Sequence, residues 1–261
     1  MLECFVLGGG ESRRFGEDKL LFPIKGKECI RYVLDALAGV CGRLAIVGKD
    51  RHKFSAIKDV EFVPDILTEQ GALVGIYTAL KSARTDKVLV VSGDMPLVKP
   101  SLVRYIVDEY KDPITIYCIR GRLYPLFGVY STKILKDLET YLKEGEKKVM
   151  DFIERVGYNC IKEDEVIHLD PLLISFINMN TKEDLKVILK NMGVVKLKVS
   201  GMTCEHCVNT VKRALMSVDG VSDVSVSLEK GEVEVITQKD IELQALKSAI
   251  EEWGYKVLGE V

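Results

Sequence analysis

Long apolar runs are missing from this chain. Its longest apolar stretches, such as Val88–Val91, have the length of a strand and fall far short of the about 20 residues that span a bilayer. A secretory leader is not expected either, because the opening residues carry an acid and a cysteine and the apolar run stops at a glycine cluster. Charge of one sign is also scarce. The formal net charge is −2, which offers no nucleic-acid-binding surface and confines any functional cations to a local site. The seven cysteines are odd in number and, apart from Cys204 and Cys207, lack framework spacing. That argues for a reducing cytoplasm, with Cys4, Cys29, Cys41, Cys118 and Cys160 as small core residues or incidental thiols. Two common phosphate fingerprints are absent as well. Gly10, Gly16 and Lys19 do not fit G-x-x-x-x-G-K-[ST], and Gly8-Gly9-Gly10 does not fit G-x-G-x-x-G.

What is present begins with 47% hydrophobic residues in a chain of 261, enough for a sizeable core in one or two domains. Short apolar runs at Leu2–Leu7, Leu44–Val47, Val60–Val63, Val88–Ser92 and Ile114–Ile119 read as strands. They alternate with helical periodicity at Glu28–Leu37, Ala72–Ser82, Ser101–Glu109 and Ser131–Lys143. Such alternation implies crossover units and an α/β fold, a doubly wound and mostly parallel sheet that binds ligands at the carboxyl ends of its strands. A further helix is expected over Lys182–Asn191, ended by Gly193. Beyond it, residues 194–261 read strand, helix, strand, strand, helix, strand, a separate α+β ferredoxin-like βαββαβ domain. The expected domains are thus 1–192 and 194–261.

Directly after the first strand comes Leu7-Gly8-Gly9-Gly10-Glu11-Ser12-Arg13-Arg14-Phe15-Gly16-Glu17-Asp18-Lys19. Consecutive glycines let backbone N–H groups approach a phosphate without Cβ obstruction. Ser12 can add a hydroxyl donor, and Arg14 and Lys19 can neutralise triphosphate charge. Asp94 follows the strand Val88–Ser92, where a carboxylate suits Mg²⁺, an ion that takes one or two protein carboxylates plus substrate oxygens. The plainer reading of Asp94 is a turn former. Gly71 and Gly75 allow close approach to a base or ribose, or else simply make a turn and a small helix-packing site.

This stretch resembles the L-x-G-G-x-S-x-R-M-G-x-D-K signature of the molybdenum cofactor guanylyltransferase family, within the wider sugar-nucleotidyltransferase-like superfamily. The likeness continues through "QGALVGI", Ser92-Gly93-Asp94-Met95-Pro96, "YPLFGVY" and "NMNTKEDL", covering about residues 1–190. It implies a Mg²⁺-dependent transfer of GMP from GTP to molybdopterin, with release of pyrophosphate. Lys19 and Arg14 would hold phosphates, Asp65 would contact the nucleoside, and Leu7, Gly8, Gly9, Gly10, Ser12, Gly71, Gly75 and Asp94 would complete the nucleotide site. Tyr124, Pro125 and Leu126 would shape the acceptor pocket, although a Tyr-Pro edge strand explains them equally. Asn178 and Asn180 would lie near the acceptor or the metal. Two departures are Gly8 for the family's usual alanine and Phe15 for its methionine. Where the family often has a base-contacting asparagine, this chain reads Gly48-Lys49-Asp50-Arg51, so CTP stays open beside GTP, as does another phosphorylated acceptor.

The second domain carries Gly201-Met202-Thr203-Cys204-Glu205-His206-Cys207 between a strand and a helix. Two thiolates two residues apart at a helix start, without further obvious ligands, suit a soft low-coordinate ion such as Cu⁺. The segment resembles the G-M-x-C-x-x-C loop of heavy-metal-associated domains. That resemblance implies Met202 as a buried anchor and Tyr255 beneath the loop; His206, between the cysteines, could bind a metal or simply stand exposed at the helix start. Molybdenum-insertion or copper-handling proteins are the partners it suggests. The competing reading is a metal chaperone or sensor whose first domain binds nucleotide without catalysis; retention of Lys19, Arg14, Asp65 and Asp94 together argues against it.

Overall fold

The computed structural model describes residues 2–9, 14–69, 71–238 and 241–261. The chain divides into two compact units, Met1–Lys182 and Glu183–Val261.

The first unit is built on a seven-stranded sheet among the described residues, in the order β5-β4-β1-β6-β8-β7-β9. Its strands are β1 (Glu3–Leu7), β4 (Arg43–Gly48), β5 (Glu61–Pro64), β6 (Lys87–Ser92), β7 (Ile114–Ile119), β8 (Arg122–Ser131) and β9 (Asn159–Lys162). A two-strand ribbon, β2 (Pro23–Ile24) and β3 (Lys27–Glu28), precedes the first helix. The helices are α1 (Cys29–Ala38), α2 (Ala72–Ser82), α3 (Pro100–Asp108), α4 (Leu135–Lys143), α5 (Val149–Val156) and the single turn α6 (Glu163–Val166).

Strand residues alternate between faces. Cys4 and Val6 share one buried cluster with Leu34 and Leu37 of α1 and Val103 and Ile106 of α3. Phe5 and Leu7 share another with Leu73 and Ile76 of α2, Leu138 of α4 and Phe152 of α5. The sheet is therefore covered on both faces, as the apolar runs require. β1 pairs in parallel with β4 on one side and β6 on the other. The chain thus reverses its winding direction beside β1, and a crevice opens at the carboxyl ends of these strands.

One connection differs from the crossovers expected. β7 and β8 form an antiparallel hairpin through Arg120-Gly121, both with positive φ, the conformation that two-residue hairpin turns favour. β8 also lies inside the sheet, antiparallel to β6 as well, so the edge-strand explanation of Pro125 is corrected. Proline is tolerated there because the β7 register shifts between Ile116, opposite Gly128, and Tyr117, opposite Tyr124. The missing N–H falls in that irregularity.

Cysteine chemistry needs a second correction. Cys4 is bonded to Cys41, and Cys118 of β7 to Cys160 of β9; Cys29 is a free buried thiol. Partners 37 and 42 residues apart in sequence meet only because neighbouring sheet elements bring them together.

The second unit opens with α7 (Lys182–Asn191), which runs straight into β10 (Met192–Ser200). Gly193 does not cap α7. It is a strand residue opposite Thr237, where an added Cβ would stand 2.9 Å from the Thr237 hydroxyl oxygen. α8 (Glu205–Met216), β11 (Val221–Ser227), β12 (Glu232–Gln238), α9 (Leu243–Glu251) and β13 (Lys256–Glu260) complete the βαββαβ order. The antiparallel sheet β11-β12-β10-β13 shares a core with the two helices through Leu197, Val199, Val211, Leu215, Leu246 and Ile250.

Candidate active site and metal-binding loop

A cavity of about 520 Å³ lies at the carboxyl ends of the central strands. Leu7, Gly8, Gly9, Lys19, Asp65, Gly71, Gly75 and Asp94 line it, together with Lys49, Asp50, Lys53, Ser92 and Leu126. A larger groove of about 730 Å³ runs beside edge strand β5, near Arg51, Lys58 and Phe62. None of the sequence-nominated residues among those described lines that groove.

Asp94 is the hub of the cavity. It follows the end of β6, and the backbone N–H of Gly93 donates to the Leu7 carbonyl, which fixes the turn against β1. Asp94 is 6% exposed, and its carboxylate is held by three donors. Lys19 Nζ reaches Oδ2 at 2.5 Å, Ser92 Oγ reaches Oδ1 at 2.6 Å, and Asn178 Nδ2 reaches Oδ1 at 2.8 Å. Lys19 also donates to Asn180 Oδ1 at 2.6 Å, and the Met179 N–H bonds the Asp94 carbonyl at 2.8 Å. A buried charge needs such partners. The loop after β1, the end of β6 and the segment before α7 therefore meet on one ion pair.

Asp94 offers a carboxylate with the Ser92 hydroxyl oxygen 2.6 Å away, which fits Mg²⁺, a hard cation satisfied by one or two carboxylates with substrate oxygens completing its shell. Among the described residues no cluster of three or more His, Cys, Asp or Glu side chains could hold a metal by itself.

The glycines act in different ways. Gly9 has open space where a Cβ would stand, whereas a Cβ on Gly8 would come within 2.8 Å of Phe54 Cζ and 2.9 Å of Ile46 Cγ2. The departure from alanine at Gly8 is thus matched by Phe54, which fills the space. Gly71 precedes α2 with φ of 152°, a conformation that favours glycine. Gly75 lets α2 close onto Leu7, 3.0 Å from its position for a Cβ.

Asp65 follows β5, its N–H bonded to the Gly48 carbonyl at 2.9 Å. Burial pushes its carboxyl pKa up, and Lys49 and the Thr78 hydroxyl offset this only in part.

The structure leaves other nominated residues outside the cavity lining. Arg14 is exposed, and Gly10 and Ser12 lie outside the described residues. Tyr124 packs at a tilt against Phe176, ring centroids 5.1 Å apart, and Pro125 sits in the irregular stretch of β8; of that trio only Leu126 lines the cavity. Asn178 and Asn180, expected near the acceptor or the metal, brace Asp94 and Lys19. Lys49 and Lys53 were not singled out as ligands. Their signal was their position in the loop after a central parallel strand.

In the second unit the Cys204 and Cys207 Sγ atoms are 3.6 Å apart, a separation one ion can span at metal–sulfur bonds of about 2.3 Å. Cys204 is the N-cap of α8. The Cys207 thiol is pushed down to about 6 by hydrogen bonds, first from the Thr203 backbone and then from the Tyr255 hydroxyl. Tyr255 packs against the core with Met202, which is half-buried, and His206 is exposed.

A doubly wound sheet with a glycine turn, a lysine and a buried carboxylate at its strand ends defines a nucleotide-binding α/β protein, here with a dithiol domain in the same chain. Comparison with known proteins narrows the class. The MobA-like NTP transferase domain matches residues 4–159, and the heavy-metal-associated domain matches residues 196–256. The chain is 43% identical over 186 residues to a probable molybdenum cofactor guanylyltransferase of Aquifex aeolicus, covering 71% of this chain and 89% of that one. With a probable molybdenum cofactor guanylyltransferase of Pyrococcus horikoshii it shares 37% over 191 residues, 70% of this chain and 96% of the other. Among solved structures, molybdopterin-guanine dinucleotide biosynthesis protein A of Archaeoglobus fulgidus matches with a TM-score of 0.65 at 27% identity, covering 72% and 97%. The chain belongs to the MobA-like NTP transferase family and is a nucleotidyltransferase, with a heavy-metal-associated domain at its C-terminal end.

Proposed function

We propose that this enzyme transfers GMP from GTP to molybdopterin or its molybdenum form, and releases pyrophosphate. The observation that carries the reading is the Lys19–Asp94 pair braced by Ser92, Asn178 and Asn180 at the mouth of the Gly8-Gly9 turn. The names of the relatives support the acceptor. A phosphate oxygen of the acceptor attacks the α-phosphorus, and the bond to the pyrophosphate oxygen breaks. Little covalent work falls to the protein, which must position the reactants and stabilise charge. The Gly8-Gly9 backbone and Lys19 bind phosphate oxygens, and Arg14 adds charge from the loop. Gly10 and Ser12 belong to the same phosphate loop. Asp65, with Gly71 and Gly75 beside it, receives the nucleoside, and Asp94 holds Mg²⁺, which supplies neutralisation of the triphosphate when bound. Asn178 and Asn180 orient Asp94 and Lys19; Tyr124 and Pro125 stand toward the acceptor side.

We assign residues 1–192 to the transferase and 194–261 to a Cu⁺-binding or other soft-metal-binding domain held by Cys204 and Cys207, with metal-handling proteins as its partners. No helix among the described residues is long and apolar enough to cross a membrane. We place the protein in the cytoplasm, where nucleotide and Mg²⁺ are supplied.

The fusion supports a coupled role. Molybdopterin carries a dithiolene whose two soft sulfurs bind Cu⁺ well. A dithiol on the same chain would remove, deliver or buffer that ion at high effective concentration.

The test is pyrophosphate release with Mg²⁺, molybdopterin and each nucleoside triphosphate in turn. Turnover with GTP alone is the expected result. Turnover with CTP would move the enzyme to the cytidylyl branch, and turnover only with a sugar phosphate would sink the molybdopterin assignment.

A further inference from the structure

The cations that line the cavity among the described residues are Lys19, Lys49 and Lys53. Lys19 is engaged with Asp94 and Asn180, and Lys49 donates to the Thr68 carbonyl beside Asp65. Lys53 is placed differently. It lies in a single 3₁₀ turn, His52–Phe54, a few residues after β4. Its side chain is 18% exposed, and its Nζ is 2.8 Å from Asp18 Oδ2 and 3.5 Å from the Gly8 carbonyl. The turn is packed rigidly against the glycine loop, because Phe54 is 4% exposed and fills the space that a side chain at Gly8 would need. Asp18 is fixed in turn by the Leu20 N–H, which donates to its Oδ1 at 3.0 Å. The ammonium therefore sits at the phosphate end of the cavity, held by a carboxylate that is 39% exposed.

We propose that Lys53 is a phosphate-binding residue of the nucleotide site and that Asp18 holds its ammonium in place until nucleotide phosphate takes over as its partner. This rests on reading the cavity as a nucleotide site. A triphosphate presents several anionic oxygens and competes well with one half-exposed carboxylate for a single ammonium. The role does not depend on which base is recognised.

Calorimetric titration of the full chain with Mg-GTP, inorganic pyrophosphate and guanosine tests this. Lys53→Gln should weaken GTP and pyrophosphate about tenfold to a hundredfold, the loss of a charge-assisted hydrogen bond, and leave guanosine unchanged. Lys53→Arg should retain most of the affinity. Asp18→Asn keeps an oxygen for the Leu20 N–H while removing the competing charge, so it should leave GTP affinity equal or higher. Unaltered GTP binding by Lys53→Gln would overturn the proposal. So would equal losses in Lys53→Gln and Asp18→Asn, which would mark a structural clamp, or a loss for guanosine as large as for GTP. If the unsubstituted chain binds none of the three, the nucleotide reading itself falls and this proposal with it. Thermal unfolding of each variant separates loss of binding from loss of fold.

Discussion

Asp65 carries opposed demands. Its pKa is raised by burial, so the folded chain favours the neutral carboxyl over the ionised one. Below the ordinary value of 3.8 the group is protonated in both folded and unfolded chains and costs nothing. Above its raised folded value it is ionised in both, and the desolvation penalty is fully present. Asp65→Asn should therefore raise Tm at pH 7, with the gain shrinking to nothing as pH falls through the acid range, while GTP affinity drops. Thermal melts across pH, set beside nucleotide titration, check both halves. Gly8 makes the other residue-scale case. Gly8→Ala drives a methyl into Phe54 and Ile46, and overpacking of this kind costs roughly 1–3 kcal/mol. Urea unfolding should show that loss, and Phe54→Leu in the same chain should recover part of it.

At the scale of elements, β9 is an edge strand, paired in parallel among the described residues to β7 alone and cross-linked to it by Cys118–Cys160. Closing a loop of that length lowers the entropy of the unfolded chain by an amount worth about 2–4 kcal/mol. Cys160→Ser should lose about that much stability under non-reducing conditions, and excess dithiothreitol should erase the difference from the unsubstituted chain. The elements also show how far the sequence can be read. Apolar runs such as Ile114–Ile119 marked strands well, because each must be buried on both faces of a covered sheet. β8 read as an acceptor-pocket motif or an edge strand, since Tyr124-Pro125 looks unlike an interior strand until the shifted register beside it is known. The hairpin at Arg120-Gly121 had a turn signal in its glycine, but the run of crossovers before it pointed to another helix.

For the whole molecule, two chemistries share one chain. Cys204→Ser with Cys207→Ser should abolish Cu⁺ binding, from one ion per chain to none. Transfer in the absence of copper should stay as it was, since both cysteines belong to the second unit and the nucleotide residues to the first. Adding Cu⁺ during transfer to molybdopterin then reads the coupling. Unchanged copper sensitivity and product yield in the double variant would show that the two domains work independently.

The sequence by itself determined the doubly wound α/β class, the βαββαβ tail, the glycine turn after the first strand and the paired cysteines of the metal loop. Each is a local pattern, set by periodicity or by close spacing, so it survives without coordinates. Only the tertiary structure decided which distant groups meet. It brought Asn178 and Asn180 to the Lys19–Asp94 pair, set Phe54 against Gly8, joined Cys4 to Cys41 and Cys118 to Cys160, and left Arg14 outside the cavity lining while placing Lys53 within it. Such partners lie tens of residues apart, and their meeting depends on strand order and crossover direction, which no short window of sequence encodes.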